Sequence, residues 1–168
     1  FHMIMGGVDE ASLKEMDVDV AAWVEAEFHV PDGVHAGRLY DFTETPFWRE
    51  PMECLSLDHP SVSVTIKKSI QVGYSTLAQG WKGAHLHLGR GLMMFVMPTI
   101  NTAREYSTNK FGAAIKYTPA LLKTVRSMSQ KSGEGSTLLK KISDNAALMM
   151  TGANSAADLQ SHTVQKMI

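Results

Sequence analysis

Lys68, Ser69, Gln71, Gly73, Tyr74 and Ser75 fall within eight consecutive positions, and together they carry the groups that phosphate chemistry uses. Lys68 offers a mobile cation. Gly73 offers a turn where a Cβ would intrude between backbone and ligand. Ser75 offers a hydroxyl at the point where a nucleotide-bound Mg²⁺ is ligated in phosphate-binding loops. A β-branched run (Val62, Val64, Thr65, Ile66) enters this polar loop, and Thr76-Leu77-Ala78-Gln79 leaves it as a helix-compatible segment. Strand, loop and helix in that order let backbone N–H groups and a helix N-terminus cradle phosphate oxygens. The usual pattern is G-x-x-x-x-G-K-[ST]. Here its last three positions read Gly73-Tyr74-Ser75, and Lys68 stands at its head. A four-carbon ammonium reaches phosphates from either end of so short a loop, so the relocation is chemically tolerable. Lys67 points away from Lys68, because strand residues alternate faces. Gln71 is a candidate γ-phosphate contact, Val72 contributes backbone, and Tyr74 either stacks on a base or packs. The plain reading is a buried strand, a glycine turn and Ser75 as a helix cap.

The elements that must hold this loop can be read from periodicity and punctuation. A helix is expected over Ser12 to Phe28, and a short helix framed by Pro46 and Pro51 carries Phe47, Met52 and Leu55. The phosphate strand spans Val62 to Lys67, and helix follows from about Tyr74 to His87, closed by Gly89-Arg90-Gly91. A strand over Leu92 to Met97 stops at Pro98, and Thr99 or Asn101 caps a helix to about Phe111. Pro119 opens a short helix over Ala120 to Val125, and Ser127 to Ser136 reads as a polar loop. A hairpin joins Thr137 to Ile142 with Ala146 to Thr151. A helical turn, Ala156 to Ser161, and a strand, Thr163 to Ile168, complete the order. The fold class is α/β with a mainly parallel sheet.

Composition bounds the rest. The chain has 168 residues, enough for one domain, with 44% hydrophobic and 20% charged residues and a net charge of −1. That balance gives no basic footprint of an autonomous nucleic-acid-binding domain. Lys67, Lys68, Lys82 and Arg90 form one mildly basic stretch. Cys54 is the only cysteine, so no intrachain disulfide forms and a reducing compartment is expected. No apolar run reaches the ~18 residues of a membrane span, and no secretory signal is expected. His85 and His87 lie on different helix faces at i, i+2, which argues against a zinc site.

Five collinear segments then carry a resemblance. They are Ala22-Trp23-Val24-Glu25 with Val30-Pro31 and Gly37; Thr45-Pro46-Phe47-Trp48-Arg49-Glu50-Pro51-Met52; Ile66 to Ser75; Phe95-Val96-Met97-Pro98-Thr99 with Ala103-Arg104-Glu105-Tyr106-Ser107; and Met150-Thr151-Gly152-Ala153-Asn154-Ser155 with Leu159. In this order they resemble the N-terminal ATPase half of the lambda-type phage terminase large subunit, from about Ala21 to Ile168. The resemblance implies a P-loop NTPase core of the helicase-like class over 61–168, incomplete at its C-terminal side, behind a helical lead-in over 1–60. It implies ATP and Mg²⁺ as cofactors, with Lys68, Ser69, Gln71, Val72, Gly73, Tyr74 and Ser75 binding nucleotide and Ser75 holding Mg²⁺.

The same resemblance makes Thr99, Arg104, Asn154 and Ser155 DNA-contact candidates. It implies double-stranded DNA, portal or capsid, and the small terminase subunit as partners of the full protein, which would oligomerise as a motor in the cytoplasm of the infected host, away from membrane. Two departures stand out. Trp48 occupies the position where a glutamine often reads adenine. The Asp-Glu pair that follows the last strand in the family is not present in this chain, and neither is the nuclease domain. No catalytic residue is therefore assigned within the chain, and the expectation is weak nucleotide binding without appreciable turnover. The alternative reading is a non-catalytic, P-loop-like interaction module that contacts DNA or packaging partners.

Overall fold

The computed structural model describes residues 19–56, 59–89, 91–124, 126–127, 139–141, 146–154, 159–160, 162–164 and 166–168. Helix α1 (Val20–Glu27) is followed by a 3-10 turn (Pro46–Trp48) and α2 (Arg49–Glu53). Next come α3 (Tyr74–Leu88), strand β1 (Gly91–Met97), α4 (Ile100–Glu105), a π-helical segment (Tyr106–Phe111), α5 (Gly112–Tyr117) and α6 (Pro119–Thr124). Strands β2 (Arg126–Ser127), β3 (Leu139–Lys141), β4 (Ala146–Gly152) and β5 (Lys166–Met167) complete the order.

The sheet order is β2-β3-β4-β1-β5. β1 pairs in parallel with β4 along its whole length, from Gly91 opposite Ala146 to Met97 opposite Gly152, and in parallel with β5. β3 pairs antiparallel with β4, as the expected hairpin requires, and β2 pairs antiparallel with β3. The sheet is thus mixed, parallel at its centre and antiparallel at one side. Buried Met93, Met94, Leu148 and Met150 fill its middle.

Glycine sets the approach of α1 to α3. A Cβ at Gly80 would lie 3.0 Å from the Val24 side chain, and one at Gly83 would lie 2.9 Å from the Trp23 ring. The bare α3 surface therefore admits Trp23, Val24 and Phe28, all buried. Asp19 caps α1 by accepting from the Ala22 amide at 3.0 Å.

The Trp23 indole donates to His87 Nδ1 at 2.8 Å, which holds that imidazole neutral. Burial lowers the His87 pKa below its usual value, with Glu27 opposing the shift. The unfolded chain therefore takes up this proton before the folded one, and stability is lost as pH falls below about 6.5. Melting temperature measured from pH 7.5 to 5 should fall less steeply for His87→Gln, which keeps an acceptor for Trp23 but does not titrate; equal slopes would contradict this.

Several expectations are corrected. Residues 62–67 form no strand: Val62 sits in a bend, and among the described residues the segment enters no strand pairing. Their β-branched side chains favour an extended backbone, which is a local preference, whereas a ladder needs a partner edge. These residues instead line two clefts of about 670 and 470 Å³. The helix after Thr99 does not stop at Phe111; a π-helical turn carries it through Gly112 into α5, where the Gly112 amide donates to the Ser107 carbonyl. The first helix is described only from Val20. Most of the Ser127 to Ser136 loop and of the turn Ala156 to Ser161 lies outside the described residues.

Candidate functional site

Among the described residues, the loop that enters α3 is where a non-glycine residue takes a left-handed backbone. Gln71 has φ +59°, the only described non-glycine residue with positive φ, and Gly73 has φ +80°. Val72 is held between these two left-handed residues, a conformation that L side chains resist and that concentrates at binding sites. Gly73 is the N-cap residue of the 15-residue α3 and receives the Leu77 amide on its carbonyl at 3.1 Å. No side chain caps this helix. Ser75 is therefore not the cap; it stands at the second helical position with its side chain exposed. The leading amides of α3 are left open to an external acceptor.

Lys68 curls over this turn. Its Nζ donates to the Ser69 carbonyl at 3.1 Å and lies 5.5 Å from the centre of the Tyr74 ring. Tyr74 is half-buried and packs at 6.0 Å from the Trp48 ring, so packing holds the ring of Tyr74. Ser69, Gln71 and Ser75 are exposed. A Cβ built at Gly73 meets nothing closer than Trp48 Nε1 at 4.0 Å, so the approach to the backbone is open. Among the described residues no three His, Cys, Asp or Glu gather into a metal cluster. Ser75 presents an exposed hydroxyl beside this turn that could hold a cation.

The sheet aligns the remaining candidates. His85 Nε2 lies 3.3 Å from the Gly91 carbonyl and Lys82 lies over the Phe95 ring, so α3 runs antiparallel to β1 with its start toward the carboxyl end of β1, and β4 runs parallel to β1. Thr99 and Asn154 follow the ends of β1 and β4 at that same end of the sheet, where open α/β folds bind ligands. Thr99 is the N-cap of α4 and accepts from the Thr102 amide at 3.2 Å. Asn154 is exposed, and the Ala153 amide ties its loop to the Met97 carbonyl at 2.7 Å. Arg104 lies in the last turn of α4 and is only partly exposed. Ser155 and Arg90 lie outside the described residues.

Two residues gain roles that spacing does not reveal. Trp48 is 3% exposed and donates its indole N–H to the Val72 carbonyl at 2.7 Å. It cannot present a ring face to a base from that position. Lys82 is fully buried on α3 and so is not part of a basic surface. Its Nζ donates to the Tyr106 hydroxyl at 2.8 Å and lies 3.6 Å from the centre of the Phe95 ring. Desolvation lowers its pKa to about 7, and burial raises that of Tyr106. His85 and His87 face different partners, the Gly91 carbonyl and Trp23.

A family model described as the phage terminase large subunit gpA, ATPase domain, matches residues 34–168. No curated protein and no solved structure matches the chain.

Proposed function

The chain belongs to the ATPase-domain family of phage terminase large subunits of the gpA type, and from that premise we propose that residues 68–75 bind ATP to power DNA packaging. The observation that carries the reading is the left-handed turn at Gln71 and Gly73 feeding an uncapped helix at the carboxyl end of a parallel strand pair. In this reading the fold is a P-loop NTPase core over 61–168 behind a lead-in over 1–60.

Phosphoryl transfer depends mainly on positioning and on electrostatic stabilisation of phosphate oxygens. Lys68 supplies the cation at the head of the loop, the amides of the turn and of α3 supply dipoles, and Gly73 keeps the approach clear. Ser69 and Gln71 present polar groups to the outer phosphates, and Tyr74 anchors the helix start. Ser75 would hold Mg²⁺, which would supply positive charge to neutralise the phosphates.

Thr99, Asn154 and Arg104, with Ser155, are proposed to touch the DNA backbone from the neighbouring strand ends. Double-stranded DNA, the small subunit and the portal or capsid are the proposed partners in a packaging motor assembled in the infected host's cytoplasm. No described helix is long and apolar enough to cross a membrane. Titrating the chain with Mg-ATP beside Lys68→Ala tests the reading. Nucleotide binding that is indifferent to Lys68 would contradict it.

A further inference from the structure

We propose that Trp48 is a positioning residue for the nucleotide loop, clamping the turn through the Val72 carbonyl rather than touching nucleotide; this rests on the nucleotide reading above. The geometry is specific. The indole N–H reaches the carbonyl of the one residue that separates the two left-handed positions, Gln71 and Gly73. A single bond at Val72 therefore restrains the unfavourable left-handed backbone of Gln71 and fixes the turn that Gly73 adopts freely, and without it Gln71 is free to relax toward ordinary backbone. The indole nitrogen is also the atom nearest a Cβ built at Gly73. At 4.0 Å that is ordinary contact, so the left-handed φ at Gly73 rather than crowding favours glycine there.

Trp48 is anchored from the other side. It sits in the 3-10 turn that leads into α2 and packs between Phe47, at 5.6 Å, and Tyr74, at 6.0 Å. Next to it Arg49 pairs with Glu25 of α1, so the clamp is fixed to the helical layer. Tyr74 in turn carries Lys68 on its ring. Residues from two distant segments thus set where the loop amides and the Lys68 ammonium point. Because Trp48 is buried, base recognition falls to other groups.

Trp48→Phe keeps an aromatic ring and removes the donor, together with the volume of the indole's second ring, so the indole resonance of the wild-type chain carries the decisive readout. The expected result is a native fold with an apparent Kd for Mg-ATP raised about three- to tenfold, the scale of one net hydrogen bond. A second readout needs no variant to fold. In an ¹⁵N-labelled wild-type chain, the Trp48 indole N–H should exchange slowly with solvent and shift when Mg-ATP saturates the loop. An unchanged Kd in a folded Trp48→Phe variant, or an indole resonance unmoved by saturating Mg-ATP, overturns the clamp alone. A wild-type chain with no response to Mg-ATP overturns the nucleotide reading and the clamp with it.

Discussion

Lys82→Met is expected to stabilise the protein at pH 7 by about 2–4 kcal/mol. The ammonium is buried with a tyrosine hydroxyl and two ring faces for company, and no carboxylate contacts it among the described residues. Its pKa falls from 10.5 to about 7, driven by desolvation, at about 1.4 kcal/mol per unit. The Phe95 and Tyr106 rings return part of that cost by favouring the charged form, which sets the lower end of the range. Methionine has similar length and no charge to desolvate, and the Tyr106 hydroxyl keeps its bond to Gln79.

The pH dependence has a definite sign. Between about 7 and 10.5 the unfolded chain holds a proton on Lys82 that the folded chain lacks, so wild-type stability rises with pH across that window. Below about 7 both states are charged and the penalty is complete. Urea unfolding at pH 7 and pH 9.5 should therefore show the variant's advantage shrinking at the higher pH. A variant less stable than wild type at pH 7 would mean that the lysine is a net stabiliser.

The second large effect is expected at Gly152. Its φ needs no glycine, yet a Cβ there would lie 2.5 Å from the Ile100 amide nitrogen, 2.7 Å from Asn154 Oδ1 and 2.8 Å from the Thr99 carbonyl carbon. Two of these are backbone atoms at the start of α4, which cannot swing aside as a side-chain tip does. Gly152→Ala must push the β4 end away from the Thr99 turn, at a cost of about 2–3 kcal/mol. Its chemical-denaturation midpoint should drop accordingly, and amide exchange should accelerate around Thr99 and Ala153, which holds the two loops together through Met97. A midpoint within ~0.5 kcal/mol of wild type would show that the loops separate freely.

What the sequence made legible follows from where the information sits. Gly73 and Gly89 punctuate α3, and Pro98 ends β1; these are local signals and they place both elements closely. The apolar run at Leu92 to Met97 and the turn residues before Ala146 suffice to place β1 and the hairpin. Other features depend on distant partners. Val62, Val64 and Ile66 report a taste for extended backbone but not whether an edge is available. The helix expected to stop near Phe111 continues, because a π-helical turn carries it through Gly112. Lys82 looks like any helix lysine, because its burial is set by Phe95 and Tyr106, which arrive from other elements. The bond from Trp48 to Val72 joins positions 24 apart, and no spacing rule links them. The loop residues were visible as chemistry; the clamp that shapes them was visible only as geometry.

The central claim is that nucleotide binds the Lys68 loop, and thermal melts with and without Mg-ATP, beside Lys68→Ala, test it most directly. Ligand at 100 times its Kd adds about 2.7 kcal/mol, or roughly 5–10 °C for a domain of this size. The account predicts such a rise in the wild-type chain and its loss in Lys68→Ala, with both proteins melting alike when no nucleotide is present. An equal rise in both, or none in the wild type at millimolar Mg-ATP, would contradict it.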